Sequence, residues 1–513
     1  MNTHKHLGPH SHPHCCPCGC TGEDVGLSRR TFLGAAGCAA LTGLSWSLLS
    51  AAEADAAPAR EPLVVKPVFA YTTYGRRNQT SWRSWGGIEK QQDADQEMVR
   101  IRKELEQLTA KADFPLRFLP LSPARGAGDV AKMADLAQAD AFLIYAANGS
   151  GGIFDAIAKH KKPTVFFLRH RSGPLSLWYE IISPRYVRRH GDRIAQTWMS
   201  DDDVVVDSLD DVTWRLRALC GLRNTIGSRI VTIGGASGWA HREAPQLAVD
   251  RWKLDIQNVP YPELGRLIQA ARADKDAVAR AAQRAAAYLK QPGVKLETQQ
   301  VFVENCFLLE QVFRGILART KSRAITINSC MGTIMPIAQT TACLTLSLLN
   351  DAGYLAFCES DFVVVPAGIL MAGITGHPAF LNDPTYPHHN IITLAHCTAP
   401  RRMDGKTLEP VRVLTHFESD YGAAPKVEMR KGMRVTNILT DFAAKRWLGL
   451  GGEIIDAPFL PICRSQIDVQ FKPDAQLVAE RMPGFHWMTV YGDYLREAGY
   501  ALRKTKVAWE DLG

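Results

Sequence analysis

A change of rhythm near residue 351 most constrains how this chain can fold. Upstream, short apolar runs alternate with amphipathic helical stretches; downstream, apolar runs follow one another with few helical intervals. Strands separated by helices build parallel α/β layers, whereas closely spaced strands build antiparallel sheets or barrels. Strands are expected at 64–65 with 68–71, at 114–118, 141–146 and 163–168, and a charged helix at 95–110. A second series opens with Arg229-Ile230-Val231-Thr232-Ile233 running into Gly234-Gly235. It continues through a strand at 252–259, helices beginning at 263 and 274, an apolar helix near 301–318 and a strand at 324–327. Later strands are expected at 411–417 and 435–442, with Gly449-Leu450-Gly451-Gly452 as a turn. This gives an α/β fold class with two α/β domains, 61–227 and 228–350, then a β-rich (α+β, barrel-like) domain over 351–513.

The first 56 residues stand apart. Ser28-Arg29-Arg30-Thr31-Phe32-Leu33, an apolar segment at 34–49 and Ala54-Asp55-Ala56 have the order of charged region, hydrophobic region and small-residue cleavage site. The arginine pair makes this a twin-arginine signal, so an exported or periplasmic protein is expected. The apolar run is shorter than the ~20 residues needed to span a bilayer, so no stable membrane anchor is expected. Ahead of it lie His4, His6, His10, His12, His14, Cys15, Cys16, Cys18 and Cys20, a leader that either buffers soft metals or is merely biased in composition. The later cysteines, Cys220, Cys306, Cys330, Cys343, Cys358, Cys397 and Cys463, are odd in number and widely spaced, unlike a disulfide framework. Buried thiols are expected. The net charge of +8 is spread along the chain rather than gathered in a basic stripe, which excludes nucleic acid as a partner.

Chemistry concentrates where apolar runs end. Cys358-Glu359-Ser360-Asp361 follows the run at 354–357 and would place two carboxylates on one face of an extended backbone. Asn382-Asp383 and His396-Cys397 end two further runs, so Glu359, Asp383 and His396 are candidates for one site built at strand ends. Each has a plainer reading. Asp361 precedes an apolar helical segment and would make an ordinary cap, and His396 would make a core histidine. His416 and Glu418 would share a strand face, lining a pocket or facing solvent. Trp82, Trp85 and Trp178 suit stacking on a sugar ring or packing in a core. The Gly149-Ser150-Gly151-Gly152 segment fits an anion cradle or a tight strand-to-helix turn.

The motifs Cys358-Glu359-Ser360-Asp361, His396-Cys397 with Pro400, Gly432-Met433-Arg434-Val435-Thr436, and His486 with Tyr491-Gly492 resemble the L-fucose and L-arabinose isomerase superfamily. Segments 177–182 and 214–219 are similar to exported sugar-isomerase-like relatives. The resemblance implies two Rossmann-like α/β domains before a β-rich domain, a homo-oligomer, and an Mn²⁺ (or Mg²⁺) site with Asp361 and His486 as ligands. Glu359 would be a further ligand or the base. The implied activity is aldose-ketose isomerisation of a monosaccharide or sugar derivative through an ene-diol, with a related lyase or epimerase, or a non-catalytic carbohydrate-binding protein, as alternatives. One departure stands out: the glutamate the family carries about two dozen residues before the Glu-x-Asp aspartate has no counterpart, because no Asp or Glu lies between Glu310 and Asp351. Asn328-Ser329-Cys330-Met331-Gly332 occupies that window, so proton transfer falls to Glu359, Asp383 or His396.

Overall fold

The computed structural model describes residues 57–83, 86–149, 151–175 and 199–513. The expected signal and its His/Cys leader, Trp85, Trp178 and segment 177–182 lie outside the described residues. The fold is mixed α/β, with two parallel sheets and a C-terminal closed antiparallel barrel.

In the first sheet the strands run in the order Leu116–Phe118, Leu63–Ala70, Ala141–Ala146, Thr164–Leu168, Val204–Val206. Ser122–Ala124 also pairs with Leu63–Ala70, and all these pairings are parallel. Leu63–Ala70 is buried along its whole length, as a strand covered on both faces must be. Its one charge, Lys66, is buried because Asp135 (2.7 Å), Ser122 Oγ and the Pro120 carbonyl receive its ammonium. The second sheet has the order Leu355–Phe357, Ala324–Ile327, Arg229–Ile233, Asp255–Val259, again parallel. Its last-formed strand carries it beyond the expected boundary at 350. The strand expected at 252–259 begins only at Asp255, since Ala244–Trp252 is helical and Lys253 closes that helix in the left-handed region (φ 55°).

The helix Val365–Thr375 is buried at every residue. It packs on Leu209–Arg223 at closest range where Gly221 faces Gly373 and Ile374: a Cβ on Gly221 would stand 2.3 Å from Ile374 Cγ1.

The barrel runs Arg434–Thr440, Trp487–Tyr491, Phe380–Pro384, Ile391–His396, Ser465–Gln470, Arg446–Asp456 and closes back on Arg434–Thr440, antiparallel throughout. Ala508–Asp511 adds to it in parallel. Two expectations fail here. Gly449-Leu450-Gly451-Gly452 is the middle of a strand, not a turn. The glycines admit close neighbours instead, since a Cβ would stand 2.3 Å from Trp509 Cη2 at Gly449 and 2.4 Å from Val469 Cγ1 at Gly452. The strand expected at 411–417 stops at Leu414 and pairs outside the barrel with Ala424–Val427 and Val294–Leu296. His416 and Glu418 therefore share no strand face. His416 is buried where the chain turns, with Nδ1 3.2 Å from Ser419 Oγ, and burial, helped by His396 and Arg464, pushes its pKa down to about 4.

Candidate functional site

Sheet register brings the polar strand ends together. Asn382 pairs with Trp487 and Asp383 with Ala395, which sets Asp383 across from His486 and one position along from His396. Asp383 Oδ1 stands 3.2 Å from His486 Nε2. From the second parallel sheet, the chain leaving Leu355–Phe357 delivers Cys358, Glu359 and Asp361 to the same place.

The two carboxylates do not share a face of an extended strand. The strand ends at Phe357, and both Glu359 (φ 62°) and Ser360 (φ 52°) are left-handed, a conformation costing roughly 1–3 kcal/mol per non-glycine residue unless its surroundings enforce it. The surroundings do so. The Ser360 N–H donates to Thr326 Oγ1 (3.1 Å), its hydroxyl to the Gly235 carbonyl (2.9 Å), and its carbonyl accepts from the Ser237 N–H (3.2 Å). The turn places the carboxylates at opposite nitrogens of one imidazole. Asp361 Oδ2 lies 2.7 Å from His486 Nδ1, and Glu359 Oε2 lies 3.4 Å from Nε2. Asp361 is not the cap expected of it: the helix Val365–Thr375 has Val364 at its N-cap with no side-chain cap bond, and Asp361 Oδ1 accepts the Val363 N–H (3.0 Å) in the turn ahead of it.

Asp361 therefore sits behind His486, holding the ring so that Nε2 faces Glu359 and Asp383. A carboxylate behind a ligating imidazole fixes the ring's orientation and raises its basicity. His396 is held in a similar way: Thr398 Oγ1 lies 3.2 Å from its Nδ1, and its Nε2 faces Glu359 Oε1 at 3.6 Å. Two groups have donor atoms within 4.8 Å of one another, as ligands of one cation must: Asp383, His396, His486 and Cys358, Glu359, His396. Asp361 belongs to neither, while Glu359 joins the second.

The carboxylates and imidazoles shift one another's titration. Burial disfavours charge on His486, but Asp361, Asp383 and Glu359 outweigh it and hold the imidazole well above its usual pKa. Burial likewise opposes charge on His396, which Glu359 and Asp383 nevertheless raise. Burial would raise Glu359, yet the two imidazoles keep it below the ordinary carboxylate range. Cys358 is pushed well above the usual thiol value, first by the neighbouring Cys330 thiol and then by burial.

Sequence reasoning missed Trp239. It follows the strand Arg229–Ile233, is 51% exposed, and stands edge-on to Phe485 (5.2 Å) and His486 (6.0 Å). The turn after Gly234-Gly235 was its only signal. Asp383, 42% exposed, marks the open side of the site. Trp82 instead packs beside its neighbour Arg83 (5.5 Å). The thiols Cys330 and Cys358 approach to 3.8 Å, which spacing along the chain did not reveal. The seven cysteines among the described residues are all free, and five of them are buried.

No protein-family model and no curated protein matches the chain. A solved carbohydrate transporter from Acidothermus cellulolyticus 11B, in complex with myo-inositol, is 13% identical over 62% of this chain and 89% of that one. Its TM-score of 0.16 is too low a likeness to support any conclusion.

Proposed function

We propose that the protein is a divalent-metal enzyme that interconverts the aldose and ketose forms of a monosaccharide or sugar derivative through an ene-diol. The observation that carries this reading is the convergence of ligand atoms of Asp383, His396 and His486 within 4.8 Å of one another, with Asp361 bonded behind His486. Two imidazoles and a carboxylate suit Mn²⁺ better than Mg²⁺, which prefers an all-oxygen shell. On this reading the two parallel layers are Rossmann-like domains whose strand ends open on the cleft.

When bound, the ion would stabilise negative charge developing on the sugar's carbonyl and hydroxyl oxygens. Glu359 takes the proton from the carbon beside the carbonyl and returns it to the neighbouring carbon. In the metal-free protein its two imidazole neighbours, when protonated, hold Glu359 below the ordinary carboxylate range and so make it a weak base. It gains basicity when those protons leave, and proton transfer is fastest when the base titrates near the working pH. Asp383, at the open side, receives the substrate hydroxyls, and Trp239 offers an apolar face for the sugar's C–H surface.

The test is a product screen over pentoses, hexoses and 6-deoxyhexoses with Mn²⁺-loaded protein in deuterated water. Deuterium at the carbon beside the carbonyl is expected, with turnover lowered about 10²–10⁴-fold in Glu359→Gln at unchanged metal content. No turnover of any sugar by the loaded wild type would overturn the reading.

A further inference from the structure

The second donor group points to a different kind of cation. Cys358, Glu359 and His396 have ligand atoms within 4.8 Å of one another, and Cys330 Sγ lies 3.8 Å from Cys358 Sγ. Two thiolates bound to one tetrahedral zinc, each about 2.3 Å from it, stand about 3.8 Å apart. That separation is far beyond the ~2.0 Å of a disulfide, and both thiols are free. Local structure presents Cys330 to the site. Ser329 is left-handed (φ 51°), Cys330 opens a π-helical turn over Cys330–Ile334, and the Tyr261 hydroxyl bonds the Asn328 carbonyl just ahead of it. Single π turns recur at functional sites. Cys358 is buried and Cys330 half-buried, so the pair is shielded on one side and reachable from the other.

We propose that Cys358, His396 and Glu359, with the Cys330 thiol beside Cys358, form a second cation position selective for thiophilic ions of the Zn²⁺ and Co²⁺ class. Thiolate and imidazole donors select such ions, whereas the Asp383, His396, His486 trio suits a harder one. His396 belongs to both groups, so a chain completes one ligand set at a time, and the hardness of the ion decides where it sits. A zinc-class ion at this position also engages Glu359. Resting on the function proposed above, it inhibits isomerisation by withdrawing the base.

Cobalt titration of the reduced, metal-free protein tests the site without reference to any activity. Wild type is expected to develop a near-ultraviolet thiolate-to-cobalt charge-transfer band at one equivalent, together with the strong visible absorption of tetrahedral Co²⁺. Excess Mn²⁺ should diminish the band. Cys330→Ser, altered at the half-buried thiol and so least disturbing to the fold, should weaken it, and Cys358→Ser should abolish it. His486→Ala should retain the cobalt band while losing Mn²⁺ binding, followed by electron paramagnetic resonance. That separates failure of this site from failure of the proposed enzyme site. Cobalt bound by wild type without a thiolate band, or a band that survives loss of both thiols, overturns the proposal.

Discussion

At the scale of single residues, Asp361 does two tasks that different substitutions separate. Asparagine keeps an oxygen for the Val363 N–H but removes the charge behind His486, so Asp361→Asn should weaken Mn²⁺ binding 10–100-fold with little change in melting temperature. Asp361→Ala should add about 1 kcal/mol of destabilisation from the lost hydrogen bond to the Val363 N–H. Isothermal titration with Mn²⁺ and thermal unfolding measure the two effects, and equal metal affinity in wild type and Asp361→Asn would count against the orienting role. The same ion pairs set a pH window for the metal-free protein. His486 and His396 have raised folded pKa values, so their contribution is complete below the unfolded value of ~6.5 and is lost as pH rises through the folded values. Glu359 has a lowered one, so its contribution is present above ~4.3 and is lost as pH falls through its folded value. Chelator-treated protein should therefore be most stable between about pH 4.3 and 6.5, as read by denaturant midpoints across pH. A flat profile from about pH 5 to 8 would contradict these pairings.

At the scale of elements, the contact between Leu209–Arg223 and Val365–Thr375 depends on absent side chains. A methyl at Gly221 would meet Ile374 at 2.3 Å on its side chain and 3.1 Å at its backbone nitrogen. Alanine gains up to about 1 kcal/mol of helix propensity, but overpacking costs typically 1–3 kcal/mol. Gly221→Ala should therefore be net destabilising, with a lower urea midpoint and an unchanged slope. This scale also shows what periodicity reveals and what it hides. The wholly apolar run before Gly376 is plain in the sequence because a helix buried on every side needs no alternation. The run at 449–452 misled because glycine serves close packing as readily as turning, and only the positions of Trp509 and Val469 tell the two apart. Glu359, Asp383 and His396 were visible as polar ends of apolar runs and His486 through the motif it shares with Tyr491-Gly492, but Asp361's place behind His486 was not. It depends on a left-handed turn at two non-glycine residues, held by a loop more than a hundred positions away in sequence.

At the scale of the whole molecule, the C-terminal helix Leu495–Lys504 ties the barrel to the first parallel layer. Lys504 reaches both oxygens of buried Asp203 (2.5 and 2.6 Å), the Tyr500 hydroxyl donates to the same carboxylate (2.6 Å), and Arg217 bonds Glu497 (2.9 Å). Removing one partner of a buried ion pair costs about 3–5 kcal/mol, so Asp203→Ala should lower global stability by about that amount in equilibrium unfolding. A loss under about 1 kcal/mol, the worth of an exposed pair, would show that this join is not buried in solution. Such joins lie beyond sequence patterns because their partners are separated by some 300 positions. The site inherits the same long reach: its residues run from Cys330 to His486 and come from two different sheets. The trio Asp383, His396, His486 is incomplete until His486 is present, whereas the thiol-containing group ends at His396. On the ribosome, every nascent chain that has not yet emerged past His486 lacks the nitrogen on which both Asp361 and Asp383 converge. On the function proposed above, a loaded trio therefore certifies that the chain has been made at least as far as His486.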